Sequence, residues 1–223
     1  MSALCWGDAT QQVGVKVSAS GAGRLYGGVS GEERIAERRR KLIEAGMNLF
    51  GSGDAGIVRV KDVIADAGLT ERYFYENFGD LDALFDEVLG LVMDKVERDV
   101  DAAVADASGD AFARVSVALR TVVDTLAEDP RMIRIIFVEA LGKGGRAGTR
   151  RNEILTRAAS NFVRWSGAGG DFERSSVDGR MKAFAVSGAA SELLIAWAEG
   201  LLDITPAELA DFLVGLYWRI NLP

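Results

Sequence analysis

The sequence has no histidine among its 223 residues, one cysteine (Cys5) and three prolines. The lack of histidine excludes Ser-His-Asp triads, Cys-His pairs and every zinc site that uses histidine. A single cysteine can form neither an intrachain disulfide nor a multi-cysteine metal site. Because proline interrupts helices, its scarcity in a chain that is 48% apolar favours long helices.

Long hydrophobic runs are missing as well. No apolar run approaches the ~20 residues needed to span a bilayer, and the first residues lack a basic segment followed by a hydrophobic one. We therefore expect a cytoplasmic protein with no membrane partner. Its length of 223 residues suits one or two domains with a sizeable core.

Positive charge is in deficit over the whole chain. The net charge is −7 and the isoelectric point is about 4.8, which opposes broad affinity for nucleic acids. Cations nevertheless concentrate in one part of the sequence, at Arg34, Arg38, Arg39, Arg40, Lys41, Arg59, Lys61 and Arg72. A small module that reads a DNA groove needs only such a local cluster.

The rest of the chain is organised around residues 59–84. The first part of this stretch has one apolar face, made by Val60, Val63, Ile64 and Ala67. Gly68 then interrupts the helical pattern, and Thr70 is a good N-cap for a second helix. In that helix Phe74 and Phe78 share one side. The pattern predicts a helix-turn-helix, whose second helix lies in the DNA major groove.

Three features are more restrictive than a generic helix-turn-helix: the Ala67–Thr70 turn, the Phe74-Tyr75 pair and Asn77-Phe78. Together with residues 34–50, Val60–Val63 and Leu84, they resemble the N-terminal domain of the TetR family of transcriptional regulators. The resemblance covers residues 33–89 and is limited to helical pattern afterwards. It implies an all-α homodimer with a three-helix DNA-binding domain and a C-terminal helical domain that binds an effector and dimerises.

We divide the chain into a flexible tail (1–29), the DNA-binding domain (30–79) and the effector-binding and dimerisation domain (80–223). The tail is rich in glycine, serine and alanine without periodicity. Within it, Arg24–Tyr26 is either part of a disordered leader or an arm that reaches along DNA. Ser30–Glu33 is a capping box that begins the first helix.

Base reading is assigned to the second helix of the helix-turn-helix. The Arg72 guanidinium can fork onto guanine O6 and N7, and Thr70 caps the helix and can bond a phosphate. By its place in the family pattern, Tyr73 offers apolar contact to a thymine methyl group. Half-buried packing is the alternative interpretation of Tyr73 and Tyr75.

Phosphate contact is assigned mostly by matching family positions. Tyr75 and Lys61 match phosphate-contacting positions of the family, and the long side chain of Arg59 can reach a phosphate. The full set of predicted DNA contacts is Arg39, Arg59, Lys61, Thr70, Arg72, Tyr73, Tyr75 and Asn77. Leu81 departs from the pattern, since the family has a lysine there, and the loss should lower the salt dependence of binding by about one unit.

Beyond Asp80 the pattern predicts a series of amphipathic helices, over 80–105, 110–128, 131–141, 148–166, 176–202 and 206–220. Thr205–Glu208 is a capping box with proline at the first helical position. The glycine-rich segment 142–149 lacks the order of a phosphate-binding loop, so we interpret it as a helix connection. The last two helices, with the small-residue patch 187–191, look like the pair that TetR-like proteins use in a four-helix dimer interface.

The resemblance also implies a pocket between the C-terminal helices. Its candidate lining residues are Met93, Met132, Ile136, Phe137, Phe162, Trp165, Phe184 and Trp197. Any one of them is also explained as ordinary core. Their chemistry suits an apolar or aromatic effector, and the absence of histidine argues against a metal-bridged effector of the tetracycline type.

The sequence therefore predicts a homodimeric, ligand-released repressor of a palindromic DNA operator. Activation is the alternative, because the sequence does not show where the operator lies relative to a promoter. One rival is a helical ligand-binding or interaction protein that has lost DNA affinity, which Glu71, Glu76 and Leu81 favour. An enzyme is disfavoured because no convergent nucleophile and base, metal cluster or cofactor loop is visible. A purely structural bundle would leave Arg72, Tyr73 and Tyr75, which we expect to be exposed, without explanation.

Overall fold

The computed structural model describes residues 31–52, 57–138, 140, 147–166 and 176–221, and their regular structure is entirely helical. The helices are α1 Gly31–Gly51, α2 Val60–Asp66, α3 Glu71–Asn77, α4 Leu81–Asp106, α5 Ala111–Glu128, α6 Arg131–Ile133, which continues as a π-helix Arg134–Val138, α7 Ala147–Ser166, α8 Val177–Ala198 and α9 Pro206–Asn221. The predicted all-α class is confirmed. The Ser30 cap, the Arg24–Tyr26 segment and most of the glycine-rich connection lie outside the described residues.

Residues 38–223 form one compact unit, and residues 31–37, the described part of a second unit, form the exposed first turns of α1. Within the larger unit the main apolar core runs from Leu42 and Phe74 to Leu194 and Leu213, which are all almost fully buried. A smaller buried cluster consists of Val100, Ala118 and Trp165. Each such side chain contributes ~1.5–3 kcal/mol on burial. The domain division at 79/80 remains a prediction.

The helix beginnings follow from their caps. Asp80, Asp110 and Ser176 each accept a hydrogen bond from a backbone N–H three residues on, at 2.7, 2.9 and 3.0 Å. The predicted capping box at α9 is confirmed, since the Thr205 N–H donates to Glu208 Oε2 at 2.8 Å and the Glu208 N–H donates to Thr205 Oγ1 at 3.2 Å. The backbone hydrogen bond from Thr205 lowers the pKa of the Glu208 carboxyl.

Two predicted helices end differently in the structure. The predicted helix 176–202 ends at Ala198, because Gly200 adopts a φ of +73° and its N–H and that of Leu201 bond back to the carbonyls of Trp197 and Ala196. The predicted helix 131–141 is a short α-helix whose hydrogen bonds then widen into the π pattern over Arg134–Val138.

The helix-turn-helix has the same kind of glycine-dependent turn. Gly68 adopts a φ of +63°, and the N–H groups of Gly68 and Leu69 bond to the carbonyls of Ala65 and Ile64 at 3.2 and 2.9 Å. This turn ends α2 and allows α3 to start after Thr70. Val63 and Phe74, one from each helix, are fully buried.

No helix in the part of the chain that the structure describes is both long and apolar enough to cross a membrane.

Replacing Gly68 with alanine should destabilise the protein by ~1–2 kcal/mol, because an L-residue is strained at this φ. An added Cβ would meet no atom within 4 Å, so the loss comes from the backbone alone. Urea denaturation followed by circular dichroism measures it. Gly79→Ala is the matched control, since that site is equally open and has no positive φ. Equal stability of the two variants would contradict this account of the turn.

Candidate nucleic-acid interface and internal cavity

The two faces of α3 are clearly different. Phe74 and Phe78 are 0% and 5% exposed and bring their rings to 6.0 Å from each other, which anchors one face in the core. The opposite face presents Arg72 and Tyr75 to solvent, and the Tyr75 ring is 54% exposed while its edge contacts Phe74. Apolar anchoring thus leaves a polar, solvent-accessible surface of the kind that enters a DNA groove.

Arg72 forms an ion pair along the exposed face. Its Nε donates to Glu76 Oε1 at 2.8 Å, and its side chain remains 83% exposed. The hydrogen bond to Glu76 raises the pKa of the guanidinium. Spacing of four residues places the two groups on neighbouring turns of α3.

Tyr73 and Asn77 are half-buried, in contrast to Arg72. The Arg38 guanidinium lies over the Tyr73 ring at 4.5 Å from its centroid. The Asn77 amide nitrogen donates to the Tyr73 carbonyl at 2.8 Å. Arg39, another predicted DNA contact, donates to the Asn77 backbone carbonyl at 3.2 Å.

Arg39 is held in place by contacts with other residues of the protein. Its Nη2 lies 2.9 Å from Glu87 Oε1 on α4, and its guanidinium covers the Phe78 ring at 4.6 Å. Arg39 therefore joins α1, α3 and α4, a role that the sequence did not reveal because Glu87 lies far along the chain. The side chain is 38% exposed.

The other predicted contacts lie at helix beginnings. Arg59 and Lys61 are exposed at the start of α2. Thr70 occupies the N-cap position of α3, but its side chain makes no capping hydrogen bond, in contrast to the expectation from the sequence. Leu81, the first residue of α4, is half-buried against the core, which agrees with an apolar role at this position.

A cavity of about 110 Å³ lies among α4, α5, α7, α8 and the π-helix. Its lining is mostly apolar, with four polar residues, Glu97, Asn161, Ser187 and Ser191. Five of the predicted pocket residues line it: Met93, Ile136, Phe137, Phe162 and Trp165.

The other three predicted pocket residues lie elsewhere. Met132 is buried on α6 and lines a separate surface pocket with Met47 and Val92. Phe184 is 42% exposed. Trp197 is half-buried and its indole Nε1 donates to the Ile204 carbonyl at 2.9 Å, which holds the chain after α8. Helical periodicity alone cannot distinguish these positions from the cavity wall.

One wall of the cavity is held by charge pairs between α4 and α7. Arg157 Nη2 lies 2.7 Å from Asp94 Oδ1 and 2.9 Å from Glu97 Oε2, and Arg157 Nε also bonds to Glu97. The hydrogen bonds that it donates to Glu97 raise the pKa of the Arg157 guanidinium. The Asn161 amide donates to Glu97 at 2.6 Å, so the carboxylate in the cavity wall is well satisfied.

Arg157 belongs to a series of arginines spaced by seven residues on α7. Arg150 bonds to Asp86 at 2.7 Å, and Arg164 bonds to Asp101 at 2.8 Å. Burial alone would raise the pKa of Asp101, but hydrogen bonds from Arg164 and Trp165 outweigh it and the pKa is lowered. Seven-residue spacing places side chains on one helix face, and it was the overlooked sequence signal for this contact.

A single segment contacts both the cavity and α1. Ile136 and Phe137 of the π-helix line the cavity, and Arg131, immediately before it, donates from Nη1 to Asn48 Oδ1 at 2.5 Å. Gly51 lies against the Arg131 side chain with no room for a side chain of its own. Asp129 orients Arg131 through hydrogen bonds of 2.9 and 2.6 Å.

Comparison with proteins of known structure identifies the fold of the chain. No protein-family model and no curated protein matches the sequence. In structure, the chain resembles a TetR-like transcriptional regulator from Rhodococcus sp. RHA1, with a TM-score of 0.62, 18% identity and coverage of 82% of this chain and 94% of that one. It also resembles a TetR-family regulator from Streptomyces coelicolor, with a TM-score of 0.63, 17% identity and coverage of 83% and 80%.

A third similar structure is the transcriptional regulator FadR from Bacillus subtilis in complex with stearoyl-CoA, with a TM-score of 0.64, 14% identity and coverage of 80% of this chain and 96% of that one. The chain therefore has the fold of the TetR-family regulators. The resemblance stated from the sequence is confirmed at the level of the fold.

Replacing Asp129 with asparagine should cost about 1 kcal/mol at pH 7, because the partly exposed pair with Arg131 is lost. The hydrogen bond from Arg131 lowers the pKa of the Asp129 carboxyl. A lowered pKa contributes stability above the ordinary value of ~3.9, and the contribution is lost as the pH falls through the native value. The difference between wild type and variant, measured by urea denaturation, should therefore shrink below about pH 4.

Asp106→Asn, at the exposed end of α4, is the control for the change of charge. A pH-independent difference for Asp129→Asn would mean that the ionised pair does not stabilise the native state.

Proposed function

We propose that the chain is a DNA-binding transcriptional regulator of the TetR type, which acts in the cytoplasm as a homodimeric, ligand-released repressor of a palindromic operator. The observation that supports it best is the two-faced character of α3, anchored by Phe74 and open to solvent at Arg72 and Tyr75. The TetR-like fold supports the same class, since the similar structures are transcriptional regulators.

In this proposal Arg72 reads a guanine, and Tyr75, Lys61 and Arg59 bind phosphates with Thr70. All five are exposed. Lysine and arginine contacts to phosphate supply affinity, whereas the fork of an arginine to a base supplies discrimination.

Arg39 and Asn77 serve a different purpose in this proposal from the DNA contact expected of them. The Asn77 side chain bonds within α3, to the Tyr73 carbonyl, whereas Arg39 connects α1 to α3 and α4. Tyr73, stacked under Arg38, offers only its exposed part to a thymine methyl group.

Dimerisation is proposed through α8 and α9. Exposed apolar side chains collect on and beside these helices, at Val177, Met181, Phe184, Leu201, Phe212 and Trp218. Exposed apolar side chains of this size are enriched at protein interfaces. A two-fold axis would place two α3 helices on half-sites one turn of DNA apart, ~34–36 Å.

The cavity is the proposed effector site, and its lining suits an apolar or aromatic molecule. The Bacillus subtilis FadR structure contains stearoyl-CoA, which makes compounds with an acyl chain reasonable first probes. Four polar residues in the wall, including Glu97 and Asn161, would orient such a molecule.

Release from DNA follows from linkage. An effector that binds better to the conformation with misplaced α3 helices weakens DNA binding by the same factor by which DNA weakens effector binding. The segment from Arg131 to Phe137 is the proposed connection, because it contacts α1 at one end and the cavity at the other.

Selection of random duplexes by the purified protein at near-physiological salt tests the DNA-binding proposal. We expect enrichment of an inverted repeat, which supports both sequence reading and a two-fold dimer, and loss of that enrichment in the Arg72→Ala, Tyr75→Phe variant. Leu91→Ala, an exposed apolar position on α4, controls for general effects of substitution. Absence of enrichment from a folded dimer, also at low salt, would overturn the proposal.

A substitution that fills the cavity tests whether it is the effector site. Ala190→Leu should weaken binding of dodecanoic acid, naphthalene or stearoyl-CoA at least tenfold, because the larger side chain occupies the space that Ala190 leaves open. Fluorescence of Trp165, which lines the cavity, reports binding. Ala102→Leu on the exposed side of α4 is the control. Equal affinity of wild type and Ala190→Leu for every probe that binds would exclude this cavity as the site.

A second candidate is a ligand-binding protein of the same fold without useful DNA affinity. The specific observation in its favour is Glu76, whose carboxylate lies on the exposed face of α3 beside Arg72. It predicts probe binding in the cavity together with failure of the duplex selection.

A further inference from the structure

The glutamate on the exposed face of α3 needs an explanation if that face meets DNA. Each phosphate repels a carboxylate, so Glu76 opposes the proposed contact through its charge. The structure nevertheless gives Glu76 a defined position, with Oε1 accepting the Arg72 Nε–H at 2.8 Å. Among the described residues, Glu76 is the one polar side chain that the Arg72 guanidinium contacts.

The geometry of a guanidinium makes that contact informative. Arginine has N–H donors on Nε, Nη1 and Nη2 in a rigid plane. A carboxylate that accepts from Nε leaves the two terminal nitrogens for a bidentate contact, and guanine O6 and N7 accept such a fork. Holding the guanidinium before binding also lowers the side-chain entropy lost in the complex.

We propose that Glu76 is a positioning residue for base recognition: it holds Arg72 by Nε so that the two terminal nitrogens read one guanine. This inference rests on the proposed DNA-binding function. The same carboxylate repels DNA phosphates whatever the base sequence, so it lowers the affinity for non-specific DNA. At the specific site this loss is offset, because Glu76 favours the contact of Arg72 with guanine. Glu76 thereby increases the ratio of specific to non-specific binding in a chain whose net charge is −7.

The chain offers a matched control for the charge. Glu71 is an exposed glutamate at the start of the same helix and is not the acceptor for Arg72. Glu71→Gln and Glu76→Gln remove the same charge from the same surface. A difference between them therefore reports the contact to Arg72 and not the repulsion of phosphates.

The experiment measures binding of wild type, Glu71→Gln, Glu76→Gln and Glu76→Ala to three duplexes at several salt concentrations. The first duplex is the selected operator, and the second replaces by adenine the guanine whose contribution Arg72→Ala abolishes. The third is an unrelated sequence. Circular dichroism confirms that each variant is folded, which is expected because Glu76 is exposed.

We expect both glutamine variants to bind unrelated DNA more tightly, with steeper salt dependence, because a negative charge is gone. The preference for guanine over adenine should fall about tenfold in Glu76→Ala and stay unchanged in Glu71→Gln. Glu76→Gln should keep part of the preference, since its amide oxygen can still accept from Nε.

Two results would overturn the positioning role alone: an unchanged guanine preference in Glu76→Ala, or an operator in which Arg72→Ala affects no single base. Failure of the wild type to enrich any sequence would instead overturn the proposed DNA-binding function, and the positioning role with it. The two failures are thus distinguishable by the first duplex selection.

Discussion

Burial of Phe74 and Phe78 is the interaction on which the rest of the exposed α3 surface depends. Because one face of this short helix is fixed in the apolar core, the opposite face is exposed to solvent with Arg72, Tyr75 and Glu76. A helix of seven residues is not stable by itself, so its orientation has to come from tertiary packing. The internal contacts of Arg39 add to that orientation from α1 and α4.

The core that buries Phe74 continues without interruption to α8 and α9, so the proposed reading surface and the cavity belong to one packed unit. Close-packed interiors respond to a local change by repacking and not by gradual deformation. Such a core suits a regulator that switches between two discrete conformations. The segment Arg131–Phe137, which includes the π-helix, contacts α1 through Arg131 and lines the cavity with Ile136 and Phe137.

Charged side chains also connect neighbouring helices of this protein, most clearly α4 and α7. Arg150, Arg157 and Arg164 of α7 each meet carboxylates of α4, and these pairs connect the two long helices. Specific charge pairs fix register in this way even where their net contribution to stability is small.

The sequence by itself determined the all-helical class, the capping box at Thr205, the helix-turn-helix and most helix limits, because these depend on short-range spacing and on single residues such as Gly68. It also identified five cavity-lining residues. Only the tertiary structure decided that Arg39 pairs with Glu87, that Trp197 bonds to Ile204 and that Phe184 is exposed. These outcomes depend on contact partners that are distant in sequence, or on the rotation of one helix relative to another. Periodicity identifies which face of a helix is buried, but it does not identify the residues that pack against that face.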